Sequence, residues 1–386
     1  MRYIVTIIVL ICLTACTNDE AGRTTETTER GQHPIAFREA YTAQPTRSSA
    51  RFTAIKGIPV GQSMGVYAYQ HDVAERDYTT DMPNFMWNQQ VMSMDQTEPF
   101  TYAPLKYWPN DESQKLSFIA YFPYTEESPG HVESPEYPDN PTGLRTLLAN
   151  DDTGLPYFVF TVKENAEEQV DFLVSEVIAN LPKTRDTDDD PHKPFNDLSI
   201  YDRVPFLFYH MTAKVEFRIV ADAEIRKDIV HFRLKDLRLT NVNTTGTLTP
   251  SYNAETGTSF AWSDLSTKRE YAFTTYVPQL LLPQLIGDDV MLNLDYEITF
   301  KGDGTTYSYD GSGNIVEEQE YTYGNIASLQ LNTMKATSTG IPVGEWRYNH
   351  HYVYTIRLRA NRIEFDAEVV EWGDTDSITD IPIEEP

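Results

Sequence analysis

From Pro34 onward the apolar and polar positions alternate with a period of two. Met211, Ala213, Val215, Phe217 and Ile219 alternate with Thr212, Lys214, Glu216 and Arg218 without a fault, as a half-buried strand requires. Val290, Leu292, Leu294, Tyr296, Ile298 and Phe300 do the same against Asn293, Asp295, Glu297 and Thr299. Tyr352, Tyr354, Ile356 and Leu358 face one way while Arg357 and Arg359 face the other. Ile363, Phe365, Ala367 and Val369 alternate with Glu364, Asp366 and Glu368. Helical spacing is scarce, and residues 222–229 are the one short stretch that admits a helix. With 24 Tyr, 18 Phe and many Thr, the composition suits pleated surfaces. The pattern predicts an all-β protein of sandwich type.

The alternation slips phase twice. Phe206 and Phe208 face with the even residues, but Met211 to Ile219 face with the odd. Phe232 and Leu234 likewise give way to Leu237 and Leu239. A one-residue slip inside an apolar run marks a β-bulge or a strand crossing between sheets. The longest turn-rich stretch is LPKTRDTDDDPHKPFNDL, residues 181–198, and the domain boundary is placed there. Residues 124–140 and the glycines around Asp303 and Asp310 mark further loop excursions. No short internal repeat is visible.

The N-terminus carries a different signal. Residues 1–16 read MRYIVTIIVLICLTAC: Arg2, then an apolar core from Ile4 to Leu13, then Leu13-Thr14-Ala15-Cys16. The apolar run is too short to span a bilayer and ends at small residues, as a secretory signal peptide does. Ending on a cysteine, it has the lipobox pattern of bacterial lipoproteins, in which Cys16 becomes the acylated first residue. Cys12 and Cys16 are the only cysteines, so the mature chain forgoes disulfides and relies on its core. Residues 17–32, TNDEAGRTTETTERGQ, lack large apolar side chains and read as a flexible acidic tether. Asn18-Asp19-Glu20 is similar to the acidic signal that sends Bacteroidetes lipoproteins to the cell surface.

Charge removes one class of partner. The chain has 58 acidic against 31 basic residues, a formal net charge of −27, which repels nucleic acid. The search for chemistry is equally negative. Asp186, Asp188, Asp189 and Asp190 lack the sixth-position glycine and twelfth-position glutamate of a calcium loop. The histidines are scattered, and His350 and His351, adjacent on a strand, point to opposite faces. Gly61-Gln62-Ser63-Met64-Gly65 is a turn into a strand, with none of the strand-to-helix context of a nucleophile elbow. Neither an enzyme nor a cofactor is expected.

A series of aromatic-rich strings remains: Ile35-Ala36-Phe37, Thr46-Arg47, Met64-Gly65-Val66-Tyr67-Ala68-Tyr69, Asn84-Phe85-Met86-Trp87-Asn88-Gln89 and Lys106-Tyr107-Trp108-Pro109. Leu116-Ser117-Phe118-Ile119-Ala120-Tyr121-Phe122-Pro123-Tyr124, Phe208-Tyr209-His210-Met211-Thr212-Ala213-Lys214-Val215 and Leu281-Leu282-Pro283-Gln284 follow. The last are Tyr352-Val353-Tyr354-Thr355-Ile356 and Val369-Val370-Glu371-Trp372. In this order, behind a lipobox, they resemble the fimbrillin family of Bacteroidales, the lipoprotein subunits of surface fimbriae. The resemblance runs from about His33 to Trp372. It implies two tandem transthyretin-like β-sandwich domains, here residues 33–200 and 201–372, behind a signal peptide at 1–15 and a tether at 16–32.

The resemblance further implies assembly by strand exchange. An arginine-specific protease removes the first strand, and a strand of the next subunit fills the groove. The removable strand would hold Ile35 and Phe37. Arg47 and Arg51, in a loop rich in Ser, Thr and Pro, are the expected cleavage sites, with Arg47 preferred. Ile378, Ile381 and Ile383 of the tail at 373–386 are donor-strand candidates, although Pro382 lacks an N–H. The implied partners are other fimbrial subunits, outer-membrane lipid through Cys16, and a host or bacterial surface ligand. The implied location is the outer membrane surface and the fimbria. An uncleaved tip or accessory subunit is the variant within the family. The alternative outside it is a non-polymerising surface lipoprotein that binds glycan on a platform of Trp87, Tyr107 and Trp108.

Overall fold

The computed structural model describes residues 34–39, 58–72, 81–94, 100–111, 113–126, 142–149, 153–182, 203–221, 228–302, 307–317, 320–336, 343–359 and 362–371. Strands dominate them. In the first half they are β1 (Ala36–Glu39), β2 (Ser63–His71), β3 (Met86–Met92), β4 (Lys115–Phe122), β5 (Leu144–Ala149), β6 (Thr153–Thr161), β7 (Leu173–Ser175) and β8 (Ile178–Leu181). Then come β9 (Arg203–Phe206), β10 (Phe208–His210), β11 (Ala213–Ala221), β12 (Ile229–Asn253), β13 (Gly257–Ala272), β14 (Gln279–Leu281), β15 (Gln284–Leu285) and β16 (Met291–Lys301). The last are β17 (Tyr307–Tyr309), β18 (Ile315–Glu317), β19 (Glu320–Gln330), β20 (Lys335–Ala336), β21 (Glu345–Trp346), β22 (His350–Arg359) and β23 (Arg362–Glu371). Among the described residues the only helical pieces are two single 3₁₀ turns, at Ala166–Glu168 and Leu331–Thr333.

Three sheets build the body. One has the order β10-β7-β4-β2-β3, with β8 also on β4. A second runs β14-β11-β22-β23-β20, and the third runs β19-β16-β12-β6-β5 with β13 added to β12. Most pairs are antiparallel; β1–β9, β11–β22 and β20–β23 are parallel. The 25-residue β12 pairs with β16 at its start and with β6 over Thr245 to Leu248, so one sheet runs through both halves of the chain. Likewise β9 and β10 pair back onto β1 and β7.

Both phase slips have a structural counterpart. Between Leu234 and Asp236 the register of β12 on β16 shifts by one residue, a bulge that turns Leu237 and Leu239 inward. The slip after Phe208 marks the chain leaving the first sheet at β10 and entering the second at β11. Residues 222–227 and most of the 181–198 stretch lie outside the described residues, as does Trp372.

Two apolar cores result. The larger lies between the third sheet and the inner faces of the other two, holding Tyr121, Phe158, Phe217, Leu292 and Tyr354 among others. The smaller gathers Ile35, Phe37, Trp108, Phe118, Val204 and Phe206. The first sheet separates them and is buried on both faces. Tyr67, Ile119 and Tyr121 point into the larger core; Val66, Phe118 and Ala120 point into the smaller. That double burial explains why β2 and β4 read as nearly continuous apolar runs instead of alternating. Gly65 sits where β2 passes beneath the Tyr121 ring; a Cβ there would lie 2.2 Å from Cε1 of that ring. Hydrogen bonds lock the layers: the Tyr69 hydroxyl donates to the Gly154 carbonyl at 2.6 Å, and the Tyr67 hydroxyl pairs with Thr146 Oγ1 at 3.0 Å.

Candidate functional site

The smaller core is closed by the segment that holds Ile35 and Phe37. β1 pairs in parallel with β9, Ala36 opposite Arg203 through Glu39 opposite Phe206, and this ribbon forms a separate two-stranded sheet over the first. Ile35, Ala36 and Phe37 are fully buried. Full burial of side chains the size of Ile or Phe stabilises by about 1.5–3 kcal/mol each. The Phe37 ring stacks on Phe206 at 5.5 Å and 22°, meets Phe118 edge-on at 6.1 Å, and lies 5.5 Å from Tyr102.

Outside the ribbon few backbone bonds hold this segment. The Ile35 N–H donates to the Lys106 carbonyl at 2.9 Å, and Pro34 bridges Tyr107. From the other side the Tyr102 hydroxyl donates to the Ile35 carbonyl at 2.8 Å. Burial pushes the Tyr102 phenol well above its ordinary range, so it stays protonated and remains a donor. One feature works against the ribbon: Arg38 of β1 lies on the same side as Arg203 of β9. Burial and the neighbouring Arg38 cation together lower the pKa of Arg203.

Of the residues named from sequence, Ile35 and Phe37 are therefore brought together in one core. Cys16, Arg47, Arg51, Ile378, Ile381 and Ile383 lie outside the described residues. Trp87, Tyr107 and Trp108 do not form a common exposed platform. Trp108 is a core residue, 3% exposed and edge-on to Phe118 at 6.2 Å, whereas Trp87 stands out on β3 at 37%. Tyr102 was not legible as a clamp, because nothing in Phe100-Thr101-Tyr102 specifies a distant backbone acceptor.

Two buried histidines, His210 and His351, pair with carboxylates. His210 Nδ1 lies 2.8 Å from an Asp171 carboxylate oxygen. His351 is buried on β22, its Nε2 3.2 Å from Glu216 Oε2, and Arg218 Nε lies 2.5 Å from Glu216 Oε1. Burial lowers the pKa of His351 and keeps the ring neutral. Burial alone would raise the Glu216 carboxyl, but His351 and Arg218 outweigh it and hold it below the usual range. Among the described residues no three His, Cys, Asp or Glu side chains gather as metal ligands, and no helix is long and apolar enough to cross a membrane.

Comparison with known proteins finds solved structures of similar fold. A fimbrial protein from Bacteroides vulgatus has a similar structure, with a TM-score of 0.50 and 17% identity, covering 88% of this chain and 99% of its own. A protein from Bacteroides uniformis, provisionally described as a cell adhesion protein, gives 0.45 and 17%, covering 89% and 98%. The fimbrilin FimA from Porphyromonas gingivalis gives 0.31 and 8%, covering 88% and 97%. Among curated proteins none matches in sequence. The sequence profile described as fimbrillin-like, however, matches residues 46–372, and on that match over most of its length the chain belongs to the fimbrillin-like family.

Proposed function

We propose that the protein is a structural and adhesive subunit of cell-surface fimbriae, built of two transthyretin-like sandwich units joined by shared strands. It is exported behind the signal peptide at residues 1–15, acylated at Cys16 and carried to the outer membrane surface. Cleavage after Arg47, or after Arg51, then frees the first strand, and a strand of a neighbouring subunit takes its place. The carrying observation is the placement of β1: four residues in parallel with a four-residue partner, yet supplying Ile35 and Phe37 to the centre of a core. An excised β1 would leave Phe118, Phe206 and Trp108 lining an apolar groove, the acceptor that β-augmentation needs. Ile378, Ile381 and Ile383 are the proposed donor side chains, though a tip or accessory subunit need not be cleaved and need not donate.

Treating the purified precursor with an arginine-specific protease tests the reading. Multimers that survive SDS without heating should form, and the double variant R47Q/R51Q should remain monomeric. Cleavage at these arginines that yields only monomers would overturn polymerisation by strand exchange.

A further inference from the structure

Strand β3 ends the first sheet, and its exposed edge is shaped in a way that strand exchange does not require. Val66 of β2 pairs with Gln89 and Ala68 with Met86, so Trp87 and Asn88 together oppose Tyr67. This is a β-bulge, and Asn88 takes a left-handed backbone with φ of 42°. The bulge is held from inside: Tyr121 donates its hydroxyl proton to Asn88 Oδ1 at 2.7 Å, and Asn88 Nδ2 donates to the Thr125 carbonyl at 2.9 Å. A rigidly supported bulge on an edge strand re-aims a side chain, and the one it turns outward is Trp87.

Trp87 stands at a cleft of about 580 Å³, within the size range of small-molecule sites. Gln89, Gln90, Met92, Thr101 and Tyr124 share its lining, which contains no charged side chain. The Gln89 amide is oriented by donating Nε2 to the carbonyls of Gln90 and Ala103, at 3.0 and 3.3 Å. The Gln90 amide is oriented by Nε2 donating to Ser63 Oγ at 3.1 Å. Among the described residues the Oε1 atoms of both glutamines have no hydrogen-bond donor, so each can accept from a ligand hydroxyl.

We propose that this cleft binds a neutral saccharide. An aromatic face accepts the C–H side of a sugar ring, and two oriented amides accept its hydroxyl protons. Neutrality follows from a lining without cations on a chain of net charge −27, which repels anionic ligands. A polypeptide strand fits the edge poorly. The bulge breaks its ladder, the Gln90 carbonyl is occupied by Gln89, and Met92 already exchanges both backbone bonds with Thr101, at 2.8 and 2.9 Å. The proposal does not rest on strand exchange, and each can fail without the other.

The test titrates the full mature chain with cellotriose, chitotriose, mannotriose and lactose, using 3′-sialyllactose as the anionic control and a peptide of residues 376–386 as the strand control. Binding is followed by saturation-transfer NMR and tryptophan fluorescence. At least one neutral sugar should bind, with W87A weakening it about tenfold and W87F less, while both variants keep the wild-type melting temperature. Failure of every neutral sugar, equal affinity in W87A, preference for sialyllactose, or occupation of the cleft by the peptide instead would each overturn the proposal.

Discussion

The two cores are closed in opposite ways. The larger is walled on one side by a sheet of long antiparallel strands: β12 meets β13 across a short turn, and β16 and β19 continue the same sheet. The smaller is sealed by β1, four residues long, paired with a β9 that lies more than 150 residues downstream. Its closure therefore depends on one short segment from the start of the chain, held mostly by side-chain burial. Buried Ile35 and Phe37 together contribute about 3–6 kcal/mol, a large fraction of the roughly 5–15 kcal/mol that holds a domain folded. A segment of such weight and so few bonds can be lost only if something replaces it.

The largest expected effects separate the cores by where they are felt. Phe37→Ala and Phe217→Ala should each cost about 3–5 kcal/mol. Phe217 sits 4.8 Å from Phe273 and 5.3 Å from Tyr354, so its loss should accelerate amide exchange through both large sheets. Loss of Phe37 should accelerate exchange mainly in β1, β9 and residues 100–108. Equal spreading from both sites would erase the distinction. A smaller effect is expected at the β5–β6 edge of the larger core. Gly143 holds φ at +69°, and a Cβ there would lie 2.2 Å from the Thr161 carbonyl oxygen. Gly143→Ala should cost roughly 1–3 kcal/mol in chemical denaturation, without exposing β1.

Tyr102→Phe removes only the hydroxyl that holds the Ile35 carbonyl and should cost about 1 kcal/mol, read as faster exchange in β1 alone. The smallest effect concerns pH. The folded pKa of His351 lies below its unfolded value of about 6.5, so on acidification the unfolded chain takes the proton first. The contribution is complete above that value and is lost as pH falls through the folded one. Glu216, also depressed, adds a loss of the same sign at lower pH. His351→Gln should flatten the decline in melting temperature just below pH 6.5 while leaving the β1 region unchanged.

The alternation of β16 was legible because one of its faces meets the larger core, and the bulge in β12 was visible as a change of phase. Pairing was not legible. Nothing in Ile35-Ala36-Phe37 names Val204 and Phe206 as its neighbours, since parallel contacts between distant segments leave no local trace. Trp87 and Trp108 both stand in short aromatic strings, yet one is exposed and the other buried. Which is which depends on a bulge fixed by Tyr121, a contact spanning 33 residues.

The replaceability of β1 is tested most directly by reading the first residue of the protein in filaments shed from the cell surface. Cleavage after Arg47 predicts Ser48, and cleavage after Arg51 predicts Phe52, with Ile35 and Phe37 absent from the fibre. Interior filament subunits that still begin at Cys16 and retain β1 would contradict it.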